Sequence, residues 1–189
     1  MQQLVVLNRM GVTVTLVPRE TRQVGAISKD RFGSVRDVDE DKVEGWTHEP
    51  LKRHFIGLLG EFAFAKHYGL TVDTETYLRS DDGDDFLVAL DDERTAVDVK
   101  TTPHEDGRLL VKQDSVDSDL YVLAVLEDAV PDKGEYVDVR LAGSASRERV
   151  LSGSVSELHG HRNHWLDQFD LDQIPDPESI TEVSDRAGS

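Results

Sequence analysis

The chain has 189 residues, 38% of them hydrophobic, enough for one domain with a sizeable core. It has no cysteine, which excludes disulfides and thiolate metal sites, and no apolar run of membrane-spanning length. Its 38 acidic residues outnumber 21 basic ones, for a net charge of −17.

Only seven of the bases are lysine. Many acids with few lysines resembles the composition of proteins that work in concentrated salt; the alternative is an ordinary acidic protein that avoids nucleic acid. At molar salt the Debye length is ~3 Å, so the overall charge does not exclude a nucleic-acid partner. The N-terminal residues MQQLVVLNRMGVTVTLV lack the basic region and cleavage site of a signal peptide. A soluble, cytoplasmic protein is expected.

In chain order, residues 2–17 alternate loosely and predict one or two short strands. A helix is expected from Glu20 to about Phe32, with Pro18 just before it, followed by an acidic loop, RDVDEDKVEG, over 36–45. A second helix runs from Pro50, a favoured first-turn residue, to about Tyr68, where Gly69 stops it. Strands follow at 85–90, 95–101, 109–112, 119–126 and 135–142, with DDER as the turn between the first two. The apolar run at 119–126 reads as a central strand. A short helix is expected near 144–151, and an acidic tail, disordered in part or draped on the surface, from Asp170. Two helices and then a run of strands make an α+β sheet domain over residues 1–169.

Within the strand TAVDVKTT, Asp98 and Lys100 share one face, and Val97 and Val99 take the core face. Positions two apart on a strand are about 7 Å from each other, which makes them poor direct ion-pair partners. If the hairpin pairs Leu90 with Thr95, Asp85 faces Lys100 and Leu87 faces Asp98. Asp85, Asp98 and Lys100 then share a face, and Asp84 points away. Two carboxylates on such a diagonal can grip one hard divalent ion, Mg²⁺ or Mn²⁺, with Lys100 beside it for a water nucleophile or a developing phosphate charge. In the preceding helix Phe55, Leu58, Leu59 and Phe62 form an apolar stripe. Glu61 sits on its edge, between the small residues Gly57 and Ala65, and Lys66 lies near the helix end.

These segments, GLLGEFAFAKHYGL, GDDFLVAL and VDVKTT, occur in that order over about residues 50–126. Together they resemble the PD-(D/E)XK nuclease superfamily, particularly its small phage and archaeal members. The resemblance implies a restriction-endonuclease-like α/β/α sandwich, a central mixed sheet flanked by helices. It implies that Asp85 and Asp98, with the main-chain carbonyl of Val99, bind Mg²⁺. It also implies that Lys100 positions the attacking water and that Glu61 joins through a second metal or a water. The proline of the family signature is absent, and Asp84 stands before Asp85. The expected function is a Mg²⁺-dependent endonuclease acting on DNA. The alternatives are a nuclease-like module that binds nucleic acid or protein without cutting, and a branched-DNA (Holliday junction) resolvase, which would work as a homodimer.

Other residues carry weaker readings. His159, His161 and His164 in HGHRNH are close enough in sequence for zinc or nickel, but a surface loop is the plainer reading. His54 lies on the Glu61 edge of its helix. Arg79, Arg94, Arg108 and Lys112 form a basic lip for phosphates, or are scattered solubilising charges.

Overall fold

A computed structural model of the chain describes residues 11–35, 49–71, 84–158 and 160–183. The 36–45 loop, Arg79 and His159 lie outside these residues. Strand β1 (Val12–Leu16) leads into α1 (Pro18–Val35), with Pro18 in its first turn. Helix α2 (Glu49–Tyr68) ends at Gly69, whose φ is +65°. Then come β2 (Phe86–Leu90), β3 (Glu93–Thr102), β4 (Leu109–Lys112), β5 (Leu120–Leu126) and β6 (Val137–Ser146). Helix α3 (Arg147–Ser152), β7 (Ser154–Leu158), β8 (His161–Leu166) and β9 (Ile180–Glu182) complete the chain. No helix among the described residues is long and apolar enough to cross a membrane.

The expected α+β class holds. A six-stranded mixed sheet has the order β1-β6-β5-β3-β2-β9, with β3 and β5 parallel and the other pairs antiparallel. Helices α1 and α2 cover one face. Phe55, Leu58, Leu59 and Phe62 of α2 bury there against Val97 and Val99 of β3 and Val122 and Ala124 of β5. The other face is covered by a three-stranded sheet, β4-β8-β7, and by Val150 of α3. Strand β5 supplies both cores, with Val122 and Ala124 on the helix side and Tyr121, Leu123 and Val125 on the other. Burial on both sides is why its sequence is a continuous apolar run.

Four local expectations are corrected. The 91–94 turn is tighter: Asp91 and Asp92 alone form it, both at positive φ (50° and 67°), and Leu90 pairs with Glu93. Two consecutive left-handed residues are what a two-residue hairpin turn requires, and aspartate tolerates them. Strand β6 does not end at 142. A bulge at its pairing with β5 between Leu123 and Ala124 interrupts the alternation, and the strand continues to Ser146. The HGHRNH segment is not a loop, because its described part enters β8. From Asp170 to Val183 the chain is not a loose tail. Leu171 is buried, Ser144 bridges Asp172, Tyr68 donates its hydroxyl to the Pro175 carbonyl at 2.9 Å, and β9 extends the main sheet beside β2.

Candidate functional site

The closer turn moves the register by two residues. Phe86 pairs with Val97, so Asp85 meets β3 at Asp98, not at Lys100. A two-residue move preserves which face each side chain occupies. Asp85 lies one residue before β2, however, outside the paired residues, and its own hydrogen bonds place its carboxylate.

At Asp85 the β2 main chain leaves the ladder. Its N–H still donates to the Val97 carbonyl at 2.9 Å, but the next ladder place is taken by its side chain: Val99 N–H donates to Asp85 Oδ2 at 2.7 Å. The Asp85 carboxylate thus lies at the edge of β3, close to the plane of the sheet. From there it is in reach of groups on both faces. On a strand the N–H and C=O of one residue point to the same neighbour. The Val99 carbonyl is therefore on the Asp85 side of β3.

From the helix side comes Glu61, only 7% exposed. Its position depends on close approach of α2 to the sheet. A Cβ at Gly60 would lie 2.9 Å from Ala124 Cβ and would run into Thr101 Oγ1. The Gly57 carbonyl accepts the Thr101 hydroxyl at 3.2 Å. Gly60 therefore lets the helix lie on β3 and β5, the Gly57 carbonyl ties it to Thr101, and Glu61 follows Gly60 by one residue. At its end, Lys66 Nζ donates to the Thr15 carbonyl at 2.9 Å and pairs with Glu20 at 2.8 Å, tying α2 to β1 and α1.

From the opposite face come Asp98, 4% exposed, and Lys100. They form an ion pair, Nζ to Oδ2, of 2.5 Å. The expectation of poor partners fails because the long lysine side chain spans the distance between alternate residues and folds back on the carboxylate. Lys100 keeps 40% of its side chain exposed.

Asp85 carries the electrostatic cost of this arrangement. Burial and the nearby Glu61 and Asp98 carboxylates push its carboxyl well above the usual carboxylate range, against the pull of Val99 N–H and the Lys100 ammonium. Three carboxylates against one ammonium leave an excess of negative charge that a hard divalent cation would cancel. Among the described residues no three His, Asp or Glu side chains are grouped as a ready-made metal cage. Mg²⁺ is characteristically held by one or two carboxylates and retains several waters, so the all-oxygen set of Asp85, Asp98 and the Val99 carbonyl, with Glu61 nearby, fits it.

Asp84 has a different task. Its Oδ1 accepts the hydroxyl of buried Ser118 at 2.5 Å, and Ser118 N–H donates to the Tyr121 hydroxyl at 3.1 Å. It secures the approach to β5.

The remaining candidates are not gathered here. His161 and His164 lie three apart on β8 and so on opposite faces, His161 exposed and His164 buried, and make no shared metal site. His54 is exposed on α2. Arg94 sits beside the hairpin turn, at the far end of β3 from Lys100, and Lys112 is exposed at the end of β4.

Arg108 is the exception. With Lys100 it lines a cleft of about 480 Å³ next to the carboxylate cluster. His104, Leu110, Ser156 and Trp165 also line it. Sequence reasoning missed this cleft. No local pattern in HRNHWL announces it, because only Trp165 and Leu166 of that segment are apolar. No family model, curated protein or solved structure matches the chain.

Proposed function

We propose that the chain is a metal-dependent endonuclease that hydrolyses DNA phosphodiester bonds in the manner of the PD-(D/E)XK nucleases. One observation carries this reading: the Asp85 carboxylate, held at the edge of β3 by Val99 N–H, lies within electrostatic reach of Glu61 from α2 and of Asp98 and Lys100 from β3. Clustering like charges around a partly buried carboxylate is costly for folding, and such costs concentrate at functional sites.

Asp85, Asp98 and the Val99 carbonyl would hold the ion, with Glu61 completing the site directly or through water. When bound, a divalent ion acidifies a water and neutralises charge growing on the phosphoryl oxygens. Val99 N–H holds one oxygen of Asp85 and so fixes the orientation of the carboxylate. Asp98 holds the Lys100 ammonium at the mouth of the cleft, where it meets an incoming phosphate. There the ammonium orients the attacking water and stabilises the negative charge that develops as the phosphorus–oxygen bond breaks.

The test is to incubate the protein with supercoiled, linear, single-stranded and branched DNA, and with RNA, from low to molar KCl. Cleavage of DNA is expected with Mg²⁺ or Mn²⁺ and none with a chelator. Asp98→Asn and Lys100→Ala are each expected to lower it by at least ~100-fold, the scale of losing one preorganised charge. Full activity in chelator overturns the metal mechanism. Binding of DNA with no cleavage under any condition identifies the non-cutting alternative.

A further inference from the structure

The cleft beside Lys100 has a built wall. Strand β8 turns Leu166 and His164 into the core, while Trp165, opposite Leu110 of β4, faces the cleft. The Arg108 guanidinium carbon lies 4.2 Å from the centre of the Trp165 ring, and Arg108 Nε is held by Asp167 at 2.7 Å. Arginine and tryptophan thus form one stacked platform.

The loop that carries Arg108 is pinned rather than loose. Gly107 N–H donates to the His104 carbonyl at 2.9 Å, and a Cβ at Gly107 would collide with Thr102. Gln168 Nε2 donates to the carbonyls of Glu105 (2.9 Å) and Gly107 (2.8 Å). Buried Arg140 in turn donates to Gln168 Oε1 at 3.1 Å. A loop clamped from the core presents its side chains in one arrangement.

Size and charge narrow the occupant. About 480 Å³ is the volume of a site for one small organic group, too small for a duplex, whose major groove alone is about 12 Å wide. At molar salt charges act over only ~3 Å, so no long-range attraction gathers a strand, and Asp106 adds a carboxylate to the cleft wall itself. A strand captured here must therefore be held by short-range contact. Base stacking on an aromatic–arginine platform supplies that, and is indifferent to sequence.

We propose that this cleft seats one unpaired nucleotide of single-stranded DNA, its base against the Trp165–Arg108 platform and its phosphate toward Lys100. The substrate is then DNA with unpaired nucleotides, such as ends, flaps or gaps. This rests on the nuclease reading above.

Tryptophan fluorescence tests it without relying on cleavage. The chain has two tryptophans, Trp46 and Trp165, so Trp46→Phe leaves Trp165 as the sole indole. In chelator, titration with a short oligo-dT is expected to quench this fluorescence, and a blunt duplex of equal nucleotide content is not. Trp165→Ala in the otherwise native chain is expected to weaken oligo-dT binding, followed by anisotropy of a labelled strand, by about ten-fold or more. Arg108→Ala, on a half-exposed side chain, is expected to weaken it in the same direction and serves if Trp165→Ala fails to fold. No quenching by oligo-dT, or equal quenching by duplex, overturns the proposal. Cleavage without quenching refutes the cleft assignment and leaves the nuclease reading standing. Quenching without cleavage on any DNA supports the cleft as a single-strand site and refutes the nuclease reading.

Discussion

Asp84 and Asp85 are adjacent and chemically identical, and their surroundings divide the work between them. Asp84 accepts a hydrogen bond from a buried serine, whereas Asp85 sits among two other carboxylates. Asp85→Asn keeps an oxygen for Val99 N–H but removes the charge. It is expected to abolish metal-dependent cleavage, and Asp84→Asn to leave most of it. The same substitution separates function from stability. The folded chain holds the Asp85 proton to higher pH than the unfolded chain does. Between those two values the folded state binds more protons, so stability falls as pH rises through that interval. Metal-free Asp85→Asn is therefore expected to melt higher than wild type at pH 7, with the gap closing toward pH 4. Scanning both proteins across that range in chelator checks it, and a gap constant with pH would refute the charge explanation. Mg²⁺ is expected to stabilise wild type, by about 2.7 kcal/mol at a hundred times its Kd, and not Asp85→Asn.

At the scale of elements, the helix carrying Glu61 is placed by what is missing from it. Gly60 faces Thr101 and Ala124 with no room for a methyl group. Gly60→Ala is expected to cost about 1–3 kcal/mol as overpacking, although alanine is the better helix former. It should also lift Glu61 away from Asp85 and so lower cleavage. Chemical denaturation and a cleavage assay on the one variant check both effects. A stabilised, fully active Gly60→Ala would mean that α2 does not need this approach. Such elements differ in how legible they are. Helix α2 and strand β5 were readable because their patterns are local: an apolar stripe and an apolar run. That Asp85 lies beside β3 was readable from the hairpin. Its partner was not, since DDER accommodates a two-residue or a four-residue turn and only packing chooses. Strand β9 has three residues and exists through pairing with β2, about ninety positions earlier, so no local pattern announces it. The cleft was hidden for a similar reason, because Lys100, Arg108 and Trp165 come together only when the small sheet folds against β3.

At the scale of the whole molecule, charge governs the conditions under which the chain should fold. Thirty-eight acids on a 189-residue chain repel one another, and few lysines are available to offset them. Of the seven lysines, Lys66 and Lys100 are committed to Glu20 and Asp98. Two ion pairs cannot balance an excess of 17 negative charges. Stability is therefore expected to rise as salt screens the repulsion. Screening has a signature that distinguishes it from general strengthening of apolar burial. The Debye length falls from about 10 Å at 0.1 M salt to about 3 Å at 1 M and has little further to fall. If repulsion dominates, most of the gain in melting temperature arrives below ~1 M KCl. If strengthened burial dominates, the gain continues steadily above it, and a surface-excluded osmolyte such as sucrose reproduces it without any charge. Thermal melts from 50 mM to 3 M KCl, with a parallel sucrose series, separate the two. We expect a steep rise and then a plateau in KCl, with only a shallow response to sucrose. Maximal stability at ~50 mM KCl would show that the acidic surface is not a burden the fold needs salt to relieve, and would leave the carboxylate–lysine site untouched.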